Sequence, residues 1–439
     1  MFSILADRTY RHLFLAQIVS LLGTGLATVA LGLLAYDLAD QDAGLVLGTV
    51  FAIKMVSYIA LAPIAGAFTD RLPRRAVLVC LDLVRACIAL TLPFVTEVWQ
   101  VYILVFLLQS ASAAFTPTFQ ATIPDIIPEE DRYTRALSLS RLAYDLENLI
   151  SPMLAAILLA VVSYHALFIG TVLGFIASAI LVISVVLPVP APSVRRGMYD
   201  RTTRGIRIYL ATPRLRGLLA LNLAAAAAGA MVLVNTVVLL RGELGLENSH
   251  VAVALAFFGG GSMLAALILP RLLDRYNNRP IMFGGAAALC LSLTLFALTI
   301  EIIGLVWGAT LAAWFMIGVG YSAVLTPSGR LLRQSAHPED RPAIFAAQFS
   351  LSHVCWLVTY PLAGWLITVS GPSTALWSLA CLAVAGLLCA RVFWRGSDVE
   401  ILAHDHEDLP EDHPHIQGSR MHRHKFVIDD YHHHWPTHH

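Results

Sequence analysis

Twelve apolar stretches, each long enough to cross a hydrocarbon core, leave this chain few ways to fold. They run 12–37, 44–69, 76–96, 99–122, 137–162, 165–189, 216–240, 250–273, 280–300, 303–326, 343–369 and 374–394. A helix needs about 20 apolar residues to span a bilayer. In lipid its backbone polar groups must be satisfied within the segment, so each stretch is predicted to be a helix. Composition agrees: 57% of the residues are hydrophobic and 13% charged, against about 25% charged in a soluble domain. The first stretch follows Arg8 and Arg11 and is longer than a signal-peptide core, so it reads as a retained helix. The six cysteines lie in apolar stretches without CxxC spacing and are expected to pack as buried thiols.

Basic residues set the expected orientation. With the amino terminus in the cytoplasm, Arg241 is the only Lys or Arg in a connection on the far side, while Lys54, Arg85 and Arg141 lie within spans. The reverse orientation would place the other basic residues on the wrong side, so both termini are expected to be cytoplasmic. The longest connection, about 190–215, opens with Pro-Val-Pro-Ala-Pro and carries Arg195, Arg196, Arg201, Arg204, Arg207 and Arg214. It divides the chain into a bundle of six helices at 1–190, a basic linker at 191–215, a second six-helix bundle at 216–397 and a polar tail at 398–439.

The two bundles repeat each other at an offset of 204 to 210 residues. Asp70-Arg71 matches Asp274-Arg275, Arg11 and Gln17 match Arg216 and Asn222, and Thr116-Pro117 matches Thr326-Pro327. Pro128-Glu129 matches Pro338-Glu339, Asp131-Arg132 matches Asp340-Arg341, and Pro152 matches Pro361. Parallel repeats about an axis along the membrane normal are a transporter architecture with substrate near the midplane. The segment Gly66-Ala67-Phe68-Thr69-Asp70-Arg71-Leu72-Pro73-Arg74-Arg75 resembles the signature between the second and third helices of the major facilitator superfamily, with Pro73 where that family has Gly. The resemblance covers residues 1 to about 395. It implies an all-α membrane protein of twelve helices in two pseudo-symmetric bundles, with Gly66, Asp70, Arg71, Arg74 and Arg75, and their repeat partners Asp274 and Arg275, latching the cytoplasmic side. Ser151-Pro152-Met153-Leu154-Ala155-Ala156 in the fifth span resembles a weakened form of the superfamily's antiporter motif.

Ionisable groups at membrane depth cost about 2.5–3.5 kcal/mol each on insertion scales, so those present are functional candidates. They are Lys54, Asp82, Arg85, Arg141, Asp145 and Glu147. Asp82 and Arg85 stand at i,i+3 and can pair on one face, as can Arg141, Asp145 and Asn148. Glu147 points elsewhere on its helix and has no local partner; it either binds a cation or proton, or pairs with Lys54. In the eleventh span, Ser350, His353 and Cys355 draw attention, with His353 at the repeat position of Tyr144. A carboxylate opposite an imidazole suits a borderline divalent metal.

The tail holds eleven of the chain's 16 histidines. His404/His406, His413/His415 and His422/His424 form His-x-His pairs whose starts are nine residues apart, followed by His432, His433, His434, His438 and His439. Interleaved carboxylates complete a tract suited to Ni²⁺, Zn²⁺, Co²⁺ or Cu²⁺, and its few apolar residues predict disorder. Trp435-Pro436 and the upstream spacing distinguish it from an affinity tag. A superfamily body ending in such a tail, with Asp408-Leu409-Pro410-x-Asp412-His413-Pro414-His415 and Phe426-Val427-Ile428-Asp429-Asp430, resembles bacterial nickel-resistance exporters, in the branch that also holds enterobactin and macrolide exporters. That implies export of Ni²⁺, with Co²⁺ or Fe²⁺ as further cargoes.

No Walker A motif, HExxH or nucleophile elbow occurs, so neither ATP hydrolysis nor enzymatic chemistry is expected. The expected protein is a proton-driven exporter without a cofactor, a monomer in the bacterial inner membrane with lipid and metal ion as partners and no nucleic acid. The alternatives are an exporter of an organic compound, such as a siderophore or drug, and a metal-sensing membrane protein that does not transport.

Overall fold

A computed structural model describes residues 2–39, 43–69, 72–159, 161–188, 197–395, 401–404, 422–432 and 434–435. The first half contains α1 (Arg8–Ala39), α2 (Ala43–Thr69), α3 (Arg74–Thr91), α4 (Val98–Ile126), α5 (Glu130–Leu159) and α6 (Tyr164–Ile183). The linker contributes an amphipathic helix, α7 (Met198–Ala211). The second half contains α8 (Pro213–Val237), α9 (Asn248–Leu273), α10 (Asn278–Ile303), α11 (Trp307–Leu325), the short α12 (Ser328–Gln334) and α13 (Arg341–Phe393). Among the described residues, nine helices are long and apolar enough to cross a membrane by length and composition. One of these, α13, runs 53 residues and is broken at Gly371, whose φ of 81° admits only glycine without strain, so it supplies two spans. With α2 and the charge-bearing α5, the twelve expected spans are accounted for.

Helix packing follows from small residues. A Cβ added at Gly261 of α9 would lie 2.0 Å from the Phe315 carbonyl, and one at Gly318 of α11 would lie 2.0 Å from the Phe258 carbonyl. The backbones of α9 and α11 therefore cross at reciprocal glycines, the close approach expected where lipid offers no hydrophobic drive for association. Four of the six cysteines, Cys80, Cys87, Cys381 and Cys389, are exposed on the helix surfaces and only Cys290 and Cys355 are buried. This corrects the expectation of six buried thiols: a thiol is apolar enough to face lipid.

The apolar cores of the two halves differ. In the second half one cluster runs from Leu215 and Ile344 to Leu239 and Trp314. In the first half the apolar core is broken into a cluster around Tyr10, Leu78, Phe119 and Leu139, another at the opposite end around Leu34, Leu92, Val105 and Phe168, and a small one of Ala86, Ile88, Ala89, Leu108 and Phe175. Between them along the same helices come Gln17 and Ser20, Asp82 and Arg85, Gln109 and Ser112, and Asp145.

The tail departs from the expected disorder. β1 (Ile401–His404) and β2 (His422–Lys425) pair antiparallel, with His404 opposite His422. Beyond them Phe426, Val427 and Ile428 are buried, and Phe426, Ile428 and Trp435 join the core of the second half. A tail-wide average hides this apolar cluster.

Candidate functional site

Lys54 lies near the middle of α2 and Glu147 near the middle of α5. Glu147 is half-buried and interacts electrostatically with Lys54. Among the described residues it has no hydrogen bond and no ion pair within 4.0 Å. It packs beside α1, where a Cβ on Gly25 would lie 3.6 Å from its Cγ and would collide with Ser151. One turn along α2 from Lys54 is Tyr58, whose ring centre is 5.7 Å from the ammonium. Tyr58 meets α13 of the opposite half: its ring lies 4.9 Å from Phe349 and 4.8 Å, edge-on, from His353. Ser350 on the same helix donates to the Ile59 carbonyl at 2.6 Å. His353 Nδ1 is 2.6 Å from the Phe349 carbonyl. A carbonyl only accepts, so Nδ1 carries the proton and the neutral ring keeps its lone pair on Nε2. Tyr58 and His353 thus meet between the halves, with Lys54 one turn from Tyr58 and Glu147 beside it on the first-half side, near the middle of α5.

Arg141 and Asp145 form a second group. Arg141 pairs with Asp145 at 2.5 Å, donates to Ser262 of α9 at 3.1 Å, and stacks 4.7 Å from the ring of Tyr321 of α11. This ties the halves together. Asp145 Oδ2 is buried without a hydrogen-bond partner among the described residues. The side chain of Asn148 lies outside the described residues.

Asp82 and Arg85 lie elsewhere. They pair with each other inside the first half, 0% and 3% exposed. Ser178 donates to Asp82 at 2.7 Å, and the guanidinium sits between the Phe115 and Phe175 rings at 4.0 and 4.4 Å. The pair braces α3, α4 and α6, while Arg85 Nε is buried without a hydrogen-bond partner among the described residues and the guanidinium interacts electrostatically with Tyr58.

At the face that carries the basic connections, the halves are latched. Asp125 at the end of α4 receives Arg74 at 2.5 Å and, from the opposite half, Arg341 at 3.0 Å. Glu130 receives Arg330 at 2.5 Å and also the Gln334 amide. Arg333 donates to the Pro128 carbonyl and stacks 5.3 Å from the Tyr133 ring. Of the expected latch residues that are described, Arg74 takes part in this network. Arg75 is exposed and donates to the Ile183 carbonyl. Asp274 and Arg275 are exposed at the end of α9. Gly66 lies in α2, and Asp70 and Arg71 lie outside the described residues. Asp125, Glu130, Arg330 and Arg341 were missed as a group. The repeated Pro128-Glu129/Pro338-Glu339 and Asp131-Arg132/Asp340-Arg341 pairs flank them and were the available signal.

In the tail, His432 is 4% exposed, and its Nδ1 and backbone N–H both lie 2.8 Å from Asp429 Oδ1. His337 Nε2 lies 3.2 Å from Asp429 Oδ2. Burial would raise the Asp429 carboxyl, but hydrogen bonds from His337 and His432 outweigh it and hold the group well below the usual carboxylate range. The same contact pushes His337 up, against the opposing effect of burial. His434 is exposed. Only the backbones of His404, His422 and His424 are described; His406, His413, His415, His433, His438 and His439 lie outside the described residues. Among the described residues no three His, Cys, Asp or Glu side chains form a group able to hold a metal ion.

Two long, repeat-related bundles meeting at a mid-membrane site are matched by sequence. The profile of the Major Facilitator Superfamily fits residues 13–234 and again 218–414. The chain belongs to the Major Facilitator Superfamily. It is a multi-pass membrane transporter and not an enzyme. It is 25% identical to an uncharacterized MFS-type transporter, YfiS, of Bacillus subtilis over 85% of this chain and 90% of that relative. It is 27% identical to macrolide efflux protein A of Streptococcus pyogenes, over 39% of this chain and 43% of that protein. The fold matches the crystal structure of the human organic anion transporter MFSD10 with TM-score 0.74 at 13% identity, covering 87% of this chain and 99% of that one. It matches a bacterial homologue of the iron transporter ferroportin, in an outward-facing state, with TM-score 0.72 at 14% identity, covering 88% and 98%.

Proposed function

We propose that this superfamily member is a proton-coupled exporter of divalent transition-metal ions, Ni²⁺ foremost and Co²⁺ or Fe²⁺ as further cargoes, in the bacterial inner membrane with both termini cytoplasmic. The observation that carries this reading is Glu147, a half-buried carboxylate at mid-membrane without an ion pair among the described residues, gathered around Lys54 and Tyr58 with an imidazole whose Nε2 is free to coordinate. A carboxylate in such a place binds either a cation or a proton, which is the exchange an antiporter performs. Glu147 and His353 supply two ligands; water completes the shell, so the ion is held loosely enough to leave. The His-rich tail, on the side where the basic connections lie, gathers the same class of ion at the inner mouth. Protons supply the energy, since the chain has no nucleotide-binding loop.

A second reading, export of an organic compound, is favoured by the aromatic side chains Tyr58, Phe349, Tyr321 and Trp356 around the interface and by the names of relatives such as macrolide efflux protein A. The deciding experiment is uptake of radioactive Ni²⁺ into everted vesicles under an imposed proton gradient. Metal export requires uptake that collapses with a protonophore. No Ni²⁺ uptake, with proton-driven movement of a macrolide, would establish the organic reading instead. Ni²⁺ binding without movement of either cargo would mark a sensor.

A further inference from the structure

The connection between α12 and α13, residues 334–341, is gripped from two sides. On one side it closes the transporter: Gln334 reaches Glu130 and Arg341 reaches Asp125, both in the first half. On the other side it holds the end of the chain. Arg204 of α7 binds Asp340 through two nitrogens, at 2.6 and 2.9 Å, and uses its third to reach Asp430 at 2.6 Å. His337 meets Asp429. Arg214 donates to Ser335 at 2.8 Å and to the Gln334 carbonyl at 3.1 Å, with Trp435 5.4 Å from its guanidinium. Phe426 anchors the segment through ring contacts with His432 and Trp435 at 4.7 and 5.0 Å.

Two short chains of contact therefore run from tail to latch. Asp430 connects through Arg204 to Asp340, whose next residue is the latch arginine Arg341. Trp435 connects through Arg214 to Gln334, which hydrogen-bonds Glu130. Arg204 and Asp340 are 8% and 3% exposed, so their bidentate pair is shielded from solvent, unlike an ordinary surface ion pair. Opening the basic face must separate Arg341 from Asp125 and Gln334 from Glu130, and the docked tail fixes the segment that would have to move.

We propose that residues 426–435 are a clasp that stabilises the conformation closed at the basic face, and that a divalent transition metal taken up by the tail releases it. The second half of this statement rests on the metal reading above. The competition is steric. His432 has its Nδ1 on Asp429, which leaves Nε2 for a metal, but the ring is 4% exposed and buried against Phe426. A metal that takes this Nε2 together with neighbours such as the exposed His434 must draw the ring out of that seat. The tail is then autoinhibitory when empty and permissive when loaded, so the inner mouth opens when cargo is present. A bistable element biased by ligand occupancy has this form.

The test uses the full chain in lipid nanodiscs, with noncanonical spin-label residues at Glu129 and Asp274, exposed positions on opposite halves of the basic face, and distances read by pulsed electron resonance. Without metal, the wild type should show a dominant short distance. The double variant Asp430→Ala/Trp435→Ala, and separately a chain ending at residue 400, should shift population to a longer distance, while Asp430→Glu should keep the short one. Unchanged distributions in both the double variant and the truncated chain would overturn the clasp. Ni²⁺ added to the wild type should reproduce the shift and leave the double variant where it already is. Calorimetric Ni²⁺ binding with no change in the wild-type distance would overturn release by metal. Absence of Ni²⁺ binding to the whole chain would remove the metal reading along with release, and the metal-free comparison would still decide the clasp.

Discussion

The two halves share a fold and a repeat but not their chemistry. At the repeat offset, Lys54 stands opposite Phe258, Arg141 opposite Ser350, Asp145 opposite Val354 and Glu147 opposite Trp356. The first half splits its apolar core with a polar and charged layer; the second half buries one continuous core with polar groups within it such as Asn235, which donates to the Ala363 carbonyl at 3.2 Å, and keeps its buried charges, Arg214 and Asp340, at the basic face. The contrast reaches the basic face, where Arg74 binds Asp125 in the first half and Asn278 binds Gln334 in the second, at 3.0 Å. The first half has kept costly charges at membrane depth, and the second sets an apolar core and one imidazole, His353, against Tyr58 of the first.

The largest expected effect breaks this division at its centre. Glu147→Gln should reduce proton-driven transport to background while leaving the protein folded and inserted, and Trp356→Phe, at the repeat position, should retain most of the rate. The measurement is vesicle uptake with and without an imposed pH gradient. Normal gradient-driven uptake by Glu147→Gln would move the coupling group elsewhere, with Asp145 next in line because its Oδ2 is buried unpartnered among the described residues.

The helices and their repeat were legible because hydrophobic length and proline and acid–base pairs are local signals; α5 was legible despite its charges because Arg141 and Asp145 are one turn apart. What was not legible depends on which faces meet. The spacing of Asp82 and Arg85 pointed to their pairing, but not to Phe115 and Phe175, which come from two other helices to enclose the guanidinium. Asp125 sits in an apolar run and shows nothing in sequence of the two arginines that converge on it. The tail's histidines were obvious, and they obscured the apolar anchor Phe426-Val427-Ile428 that docks it.

Next in size is a stability effect confined to the first half. Arg85→Met should cost about 3–5 kcal/mol, because Asp82 is left charged and buried. Adding Asp82→Leu should recover most of it, and transport per folded molecule should stay near wild type in the double variant. Unfolding in detergent and vesicle uptake measure the two. Lost transport in a stable double variant would return the pair to the transport site.

A smaller effect is expected at the latch. Asp125→Asn weakens two charge-assisted bonds at once, one within the first half and one between halves. Arg207→Ala removes an exposed pair with Asp200 and should cost about 0–1 kcal/mol. The spin-label distance across the basic face should lengthen for Asp125→Asn and not for Arg207→Ala. Equal behaviour of the two would mean that Asp125 does not hold the face closed.

The smallest effect sharpens the comparison at its weakest point, the neutral counterpart of Arg74. Asn278→Ala removes the bond to Gln334, a neutral donor to a neutral acceptor, and such bonds are worth about 0.5–1.5 kcal/mol net. Gln334 keeps its amide on Glu130. Arg74→Ala, in contrast, leaves Asp125 with Arg341 as its remaining arginine, and also frees the Ala121 carbonyl that Arg74 binds at 2.9 Å. Its cost should exceed that of Asn278→Ala because a charged acceptor at 17% exposure loses a partner and a backbone acceptor loses its donor. Chemical unfolding of the two variants under identical lipid and salt gives the ranking. Raising the salt concentration should narrow the gap only slightly, since Arg74 is 4% exposed and screened little. Equal costs would show that charge at the basic face adds nothing to a plain hydrogen bond, and the asymmetry between the halves would then be confined to the membrane interior.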